Sequence, residues 1–326
     1  VLPFDVNNIF ATRPGDFTDL CRHIYAYQYW NNPVYRQWCS LLGEAPRGNE
    51  TPATIPALPI GLFKTHRIYT GEGHPDRYFE SSGTTQTANS RHWVKDPDLY
   101  RKSFFTAFEQ FYGPVGDWCI LGLLPAYLER QHSSLVMMVD ELIKACGHPD
   151  AGFYLYDHAK LATVLASLEQ QKQQTLLIGV TFALLDFASA YPMPLSHTTI
   201  METGGMKGRR QELTRAAVHE ELMRAWGVHS IHSEYGMTEL LSQAYSAGNG
   251  RFYCPPWMRV LVRDEEDPRL IHTTGKGILQ VIDLANVHSC SFLATEDVGI
   301  VYEDGSFEVW GRLDHSDIRG CSLLVV

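Results

Sequence analysis

The sequence predicts an α/β protein. Through the middle of the chain, short apolar runs alternate with helix-length amphipathic segments, and from about residue 252 short strands alone remain. At 326 residues the chain is long enough for a full core, as one large α/β domain or two smaller ones. Its 44% hydrophobic and 20% charged residues are ordinary for a globular protein, so no fibrous or disordered class competes. The alternation implies a largely parallel sheet, and the later run a smaller β-rich subdomain.

Residues 1–45 are rich in aromatics, among them Phe4, Phe10, Tyr25, Trp30 and Trp38. Within them, 16–42 reads as one or two amphipathic helices broken near Pro33. The Pro- and Thr-rich segment 46–59 reads as a connection. A short strand at 77–79 runs into Glu80-Ser81-Ser82-Gly83-Thr84-Thr85. A helix follows over 97–112, with Asp96 as N-cap and Gly113 past its end. Next come a strand at 118–124, a helix at 134–146 stopped by Gly147, a strand at 152–156 and a helix at 158–171. The apolar run 175–182 reads as a strand buried on both faces. Segment 198–202 is another strand, 211–226 a helix ended by Gly227, and 230–234 a strand that runs into Tyr235-Gly236-Met237-Thr238-Glu239. Further strands are expected at 259–262, 277–282, 299–302 and 307–310.

Charge and cysteine usage exclude several function classes. A net charge of −10 with no long basic run argues against nucleic acid and anionic membranes as partners. The most apolar stretch, 176–190, is interrupted by Thr181 and Asp186 and is too short to span a bilayer. The seven cysteines are odd in number and scattered, without C-x-x-C. That points away from a disulfide framework or zinc finger and towards a reducing cytoplasm. No signal peptide stands at the N-terminus. His219, His229 and His232 lack the Cys or carboxylate spacing of a zinc site, and no G-x-S-x-G elbow occurs.

Four segments carry chemistry. In the loop from Ser81 to Thr85, Gly83 lets backbone N–H groups converge on a phosphate and the flanking hydroxyls add donors; a plain Ser/Thr-rich turn has the same composition. Tyr235 offers a flat face for a purine, Gly236 close approach, and Glu239 a hard oxygen ligand for Mg²⁺, though a core Tyr before a capped helix start reads equally well. Asp297, in Thr295-Glu296-Asp297, suits ribose hydroxyls, and Arg312, in Gly311-Arg312-Leu313-Asp314, suits phosphate or ribose oxygens. A turn acid and a surface ion pair to Asp314 or Asp317 are the bland alternatives. Cys321 lies near the C-terminus in Arg319-Gly320-Cys321-Ser322. An unperturbed thiol is only about 3% thiolate at pH 7, so the charges of Arg319, His315, Asp314 and Asp317 would decide its reactivity.

In order and spacing these segments resemble the adenylate-forming superfamily of acyl-CoA synthetases and ligases. More narrowly, the chain resembles the acyl-protein synthetase family of bacterial luminescence. The narrower likeness rests on Glu202-Thr203-Gly204-Gly205-Met206-Lys207-Gly208, on the run from His232 to Gln243, on Cys254-Pro255-Pro256-Trp257 and on the Cys321 segment. The resemblance implies an adenylate-forming N-terminal-domain-like core with mixed sheets and flanking helices. It would be a single domain over 1–326, with a helical part at about 1–45 and a β-rich subdomain at about 252–326. The implied activity is ATP-dependent activation of a carboxylic, and by resemblance fatty, acid as acyl-AMP, followed by transfer to a protein thiol. In the implied site, Ser81, Ser82, Gly83, Thr84 and Thr85 hold phosphates, and Gly204, Gly205 and Tyr235 frame the adenine beside Gly236. Thr238 touches the α-phosphate and Glu239 holds Mg²⁺. Asp297 binds the ribose, Arg312 the ribose or phosphate, and Cys321 accepts the acyl group.

The sequence departs from the superfamily pattern in three places. Glu296 precedes Asp297 where Gly is usual, and the loop after Thr85 lacks the usual Gly and Lys. The segment after Arg312 is too short for the superfamily's mobile C-terminal lid with its catalytic Lys, so Lys207 or a partner subunit would have to supply that cation. An acyl-reductase or acyl-carrier protein is the implied partner. An acyl- or aryl-CoA ligase and a non-catalytic nucleotide-binding module are the competing readings.

Overall fold

The computed structural model describes residues 4–73, 75, 77–81, 89–125, 129–204, 213–264 and 266–313. Two sheets dominate. The central sheet runs β5-β4-β6-β7-β8-β9, built from Gly152–Phe153, Cys119–Leu123, Thr175–Val180, Thr198–Thr203, His232–Tyr235 and Ala244–Ser246. All neighbours are parallel except β8 and β9. Parallel pairing demands helices on both faces, and the sequence supplies them: α3 (Pro97–Tyr112), α4 (Ser134–Cys146), α5 (His158–Gln171), α6 (Thr181–Ala190) and α7 (Arg215–Trp226). Their ends obey local chemistry. Asp96, Ser133, Asp157 and Thr214 cap N-termini through their side chains, and Gly147 and Gly227 take the left-handed conformation past the ends of α4 and α7.

Successive strand residues serve different cores. Ile120, Leu176, Ile178 and Met201 join Phe104, Phe108, Met138 and Leu142 of α3 and α4. Leu121, Leu123, Leu177 and Ile200 face the other way, onto Leu161, Leu165, Leu184, Leu222 and Trp226 of α5, α6 and α7.

The second sheet runs β1-β13-β12-β10-β11, with β14 paired to β13: Leu58–Pro59, Phe292–Val301, Gly275–Asp283, Met258–Arg263, Ile271–His272 and Phe307–Arg312. Only β1 is parallel to its neighbour. Helices α1 (Phe17–Asn31) and α2 (Pro33–Leu41) pack on this sheet, and Tyr35 stacks on Phe292 with ring centroids 6.3 Å apart. Gln28 locks α1 in place. Its amide donates to the carbonyls of Asn286 (3.0 Å) and Val287 (3.1 Å) and accepts from Ser291 N (3.0 Å). A small separate hairpin pairs β2 (Tyr78–Glu80) with β3 (Arg91–Trp93).

Most expected elements appear within a residue or two. The helix expected from 211 starts at Arg215, where the Thr214 side chain caps it. Three more differ for identifiable reasons. The strand expected over 175–182 ends at Val180, and α6 begins at Thr181 without a loop; α6 is apolar nearly all round, which erases helical periodicity. The strand placed at 299–302 is the end of the ten-residue β13, whose middle is polar because it carries site residues. The strand at 152–156 is only two residues long. Among the described residues no helix is long and apolar enough to cross a membrane.

Candidate active site

The carboxyl end of β8 delivers Tyr235 and the loop after it, residues 236–243. That loop is clamped by its backbone. Asp283, fully buried at the end of β12, accepts from Leu241 N (2.8 Å), Ser242 N (3.0 Å), Ser242 Oγ (2.6 Å) and Ala285 N (3.1 Å). Trp257 Nε1 donates to the same Ser242 hydroxyl at 2.9 Å. Asn286 donates to the Glu239 carbonyl at 2.6 Å, and the ring Nδ1 of His92 on β3 lies 2.9 Å from the Thr238 carbonyl. Burial pulls His92 down to about 4, so its ring is neutral at neutral pH and Nδ1–H is the donor this carbonyl needs. A Cβ at Gly236 would collide with Glu234 Oε1, so any side chain there would have to displace that carboxyl.

Side chains from both sheets meet over this loop. Asp297 of β13 and Arg312 of β14 are register partners, and Arg312 Nε donates to Asp297 Oδ1 at 3.0 Å. The Tyr235 hydroxyl donates to Asp297 Oδ2 at 2.9 Å. The Tyr235 ring packs edge-on against Phe307 (5.2 Å) and near Phe252 (5.8 Å). Burial, then the adjacent Asp297 charge, holds the Tyr235 phenol well above its usual range, so it stays a donor. Burial opposes the Arg312 charge, but Asp297 more than offsets it. Arg312 thus pairs inside the site with Asp297; Asp314 and Asp317 lie outside the described residues.

Glu239 is 7% exposed. Burial raises its carboxyl above the ordinary range, while the Ser90 hydroxyl and the charges of Arg312 and Lys64 pull the other way. Ser90 also anchors the expected phosphate loop. Ser81 N donates to Ser90 O at 3.1 Å, and Ser90 N donates to Ser81 Oγ at 3.0 Å. Ser82, Gly83, Thr84 and Thr85 lie outside the described residues; of the residues flanking them, Ser90 bonds to Glu239 and Ser81 bonds to Ser90. Gly204 closes β7 at φ +69°, its carbonyl accepting from Thr181 Oγ1 at 2.7 Å. Gly205, Lys207 and Cys321 lie outside the described residues.

So the structure joins Tyr235, Asp297 and Arg312 by hydrogen bonds and brings Glu239 to Ser90, which holds Ser81. Gly236 and Thr238 follow Tyr235 in the clamped loop, and Gly204 ends the neighbouring strand β7. Sequence reading missed a second layer. Glu202 accepts from Thr181 Oγ1 (2.9 Å), Ser233 Oγ (3.0 Å) and Arg215 Nε (3.1 Å), with His219 Nε2 at 3.5 Å. Burial pushes Glu202 up, yet His219, Arg215 and Thr181 together hold it below the usual carboxylate range. Arg215 also donates to the Val309 carbonyl at 2.9 Å, tying β14 to the end of β7. Glu234, bonded by Thr203 Oγ1, is raised to about 7 by burial. Its one sequence signal is a carboxylate placed immediately before Tyr235. Five described thiols are inert: burial raises Cys21, Cys39, Cys119 and Cys254 to about 12 and raises Cys290 as well.

No family model matches the chain. Among solved structures, 2-hydroxyisobutyryl-CoA ligase in complex with 2-HIB-AMP and CoA superimposes with a TM-score of 0.65 at 14% identity, over 95% of this chain and 71% of that one. ATP-bound MatB from Rhodopseudomonas palustris gives a TM-score of 0.54 at 17% identity, over 74% of this chain. The fold is that of the adenylate-forming enzymes. The match spans about half of MatB, 49% of its length. Two curated proteins align over nearly the whole chain, both long-chain-fatty-acid–luciferin-component ligases. The Vibrio harveyi protein is 24% identical over 331 residues (93% of this chain, 85% of that one). The Aliivibrio fischeri protein is 23% identical over 352 residues (97% and 91%).

Proposed function

We propose that this chain activates a long-chain fatty acid with ATP as acyl-AMP and transfers the acyl group to a protein thiol. One observation carries the reading: Asp297, held between Tyr235 and Arg312, stands in the same crevice as Glu239 and the Ser81–Ser90 junction. Nucleotide activation of an acid needs those groups together. The names of the full-length relatives supply the substrate class.

In the first step a carboxylate oxygen of the fatty acid bonds to the α-phosphorus, and the bond to the bridging oxygen breaks with release of pyrophosphate. In the second a thiolate attacks the acyl carbonyl carbon, and the carbon–oxygen bond to AMP breaks. Asp297 would take the ribose hydroxyls, with Arg312 on the ribose or α-phosphate oxygens. Tyr235, Gly204 and Gly205 would border the adenine, and Thr238 the α-phosphate. Residues 81–85 would donate to the outer phosphates. Holding the acid in line with the phosphorus, and meeting the charge that develops there, accounts for most of the rate.

Glu239 fits one corner of a Mg²⁺ shell. Among the described residues no group of three or more His, Cys, Asp or Glu could hold a metal. A single buried carboxylate completed by substrate phosphates is the usual magnesium arrangement. When bound with ATP, the ion neutralises phosphate charge. Lys207 is a proposed second cation, and Cys321 the proposed acyl acceptor, from which an acyl-reductase or acyl-carrier protein would collect the product. The six described cysteines are all free, which fits a reducing cytoplasm.

Intact-mass measurement after incubation with ATP, magnesium and straight-chain fatty acids tests the transfer. The expected result is one acyl mass, removed by hydroxylamine and absent from Cys321→Ser. Thioester label retained on that variant refutes Cys321 as acceptor. Acyl-CoA formation without protein label points to a CoA ligase instead.

A further inference from the structure

The 3-10 turn Ile60–Lys64 packs against the β2–β3 hairpin, and the two border an open pocket of about 520 Å³. That is ample for a small ligand, whose sites run to roughly 300–1,000 Å³. Among the described residues the wall is basic, in a chain whose net charge is −10. Lys64, Arg67 and Arg91 bring three cations and Glu80 one carboxylate, leaving two positive charges among the described residues, and His66 and Asn89 add polar groups.

The cations are not equally committed. Arg67 lies over the Trp93 ring at 4.0 Å and donates to the Pro75 carbonyl at 2.7 Å. Arg91 Nε is bonded to Glu80 at 2.9 Å, which matches the wall's only negative charge among the described residues and leaves the terminal nitrogens of Arg91 as donors. Lys64 is exposed and has no hydrogen bond or ion pair among the described residues.

The cavity's position gives these charges a purpose. Glu80 and Arg91 face each other on the hairpin, and the next pair, Ser81 and Ser90, closes the base of the 82–88 loop. On the other side Phe63 meets the His92 ring edge-on at 5.8 Å, and His92 holds the Thr238 carbonyl. The turn bearing Lys64 is thereby fixed one layer from Glu239, whose carboxyl feels the lysine's charge.

We propose that this cavity is a polyanion site for the pyrophosphate end of the nucleotide, with Lys64 as its principal cation and Arg91 closing it from the hairpin. The inference rests on the adenylation reading above. When the bond from the α-phosphorus to the bridging oxygen breaks, its electron pair stays on the departing pyrophosphate. Lys64 meets it as a mobile point charge, a role lysine fills well at phosphates.

The test is calorimetric titration of inorganic pyrophosphate, with magnesium, into the full chain. The wild type is expected to bind. Lys64→Gln and Arg91→Gln should each weaken binding about 10-fold or more, and Lys64→Arg should restore it to within about 3-fold. Both side chains are exposed, so equal unfolding temperatures show that the variants are folded. AMP, titrated in parallel, should bind the wild type and Lys64→Gln alike. Failure of the wild type to bind pyrophosphate, unchanged affinity in Lys64→Gln, or an equal loss of AMP affinity each overturns the assignment. Acid-dependent ATP–pyrophosphate exchange separates the two claims. If pyrophosphate binding depends on Lys64 but no acid supports exchange, the site stands and adenylation falls. If exchange occurs but the Lys64 variant binds normally, adenylation stands and the site falls.

Discussion

Asp297 satisfies two donors at once, and each of them carries a consequence for the site. Its carboxylate is 4% exposed, and Tyr235 and Arg312 occupy one oxygen each. An amide at this position would present a donor to one of two donors and remove the charge that sustains Arg312. Asp297→Asn is therefore expected to raise KM for ATP about 10- to 100-fold, the range for losing a charged hydrogen bond. Steady-state rates against ATP concentration check it, with unaltered far-ultraviolet circular dichroism as the control; an unchanged KM counts against the role. Glu234 makes a different prediction. Its folded-state value of about 7, against the ordinary 4.5, means the native state holds a proton that the unfolded chain has lost between those pH values. The native state then binds more protons, so this residue's contribution to stability is complete below about pH 4.5 and is lost as pH rises through 7. Glu234→Gln should abolish that loss. Urea unfolding should find the variant more stable than wild type by about 3 kcal/mol at pH 8, with the gap gone near pH 4. His92 titrates with the opposite sign below pH 6.5 in both proteins and so cancels in the comparison. The sequence showed only that a carboxylate precedes Tyr235; the burial of Glu234 depends on Thr203, Tyr100 and Tyr245 arriving from other strands and helices.

Helices α3, α4 and α5 show how far local chemistry carries. The helix bounds 97–112, 134–146 and 158–171 match those expected; Asp96 and Gly113 mark the first and Gly147 the end of the second, signals that are set within four residues of the helix end. Helix α6 and strand β13 were misread because their signals are not local. An all-apolar helix and a strand with a polar centre are both explained only by what packs on them. The phosphate-loop ends, Tyr235, Glu239, Asp297 and Arg312 were legible as motifs. Asp283, His92, Asn286 and Arg215, which hold those motifs in place, were not, because each acts on a partner at least thirteen residues away. The pairing of β13 with β14 is also constrained by Gly299, where a Cβ would stand 1.9 Å from the Glu308 carbonyl oxygen. Gly299→Ala must push β14 away and displace Arg312 with it. The expected cost is about 1–3 kcal/mol by urea unfolding, together with a raised KM for ATP. Full stability with normal kinetics would mean that the β13–β14 pairing does not position the site.

The crevice exists only because two separately built layers meet. The parallel sheet contributes Gly204 and Tyr235 at its strand ends, as open α/β sheets do, and the antiparallel sheet contributes Asp297 and Arg312. Arg215 spans the seam between Glu202 and Val309, and Asp283 ties the loop of one sheet to the last strand residue of the other. Binding a nucleotide across that seam should stiffen both layers. ATP–pyrophosphate exchange in the presence of long-chain fatty acids examines this arrangement at its chemistry. The wild type should exchange only when acid is present, and Glu239→Gln should reduce the rate at least 100-fold, the scale of losing a charge-stabilising group at the reacting centre. Absence of exchange with every acid tried, or a Glu239→Gln variant as fast as wild type, would show that this crevice does not adenylate.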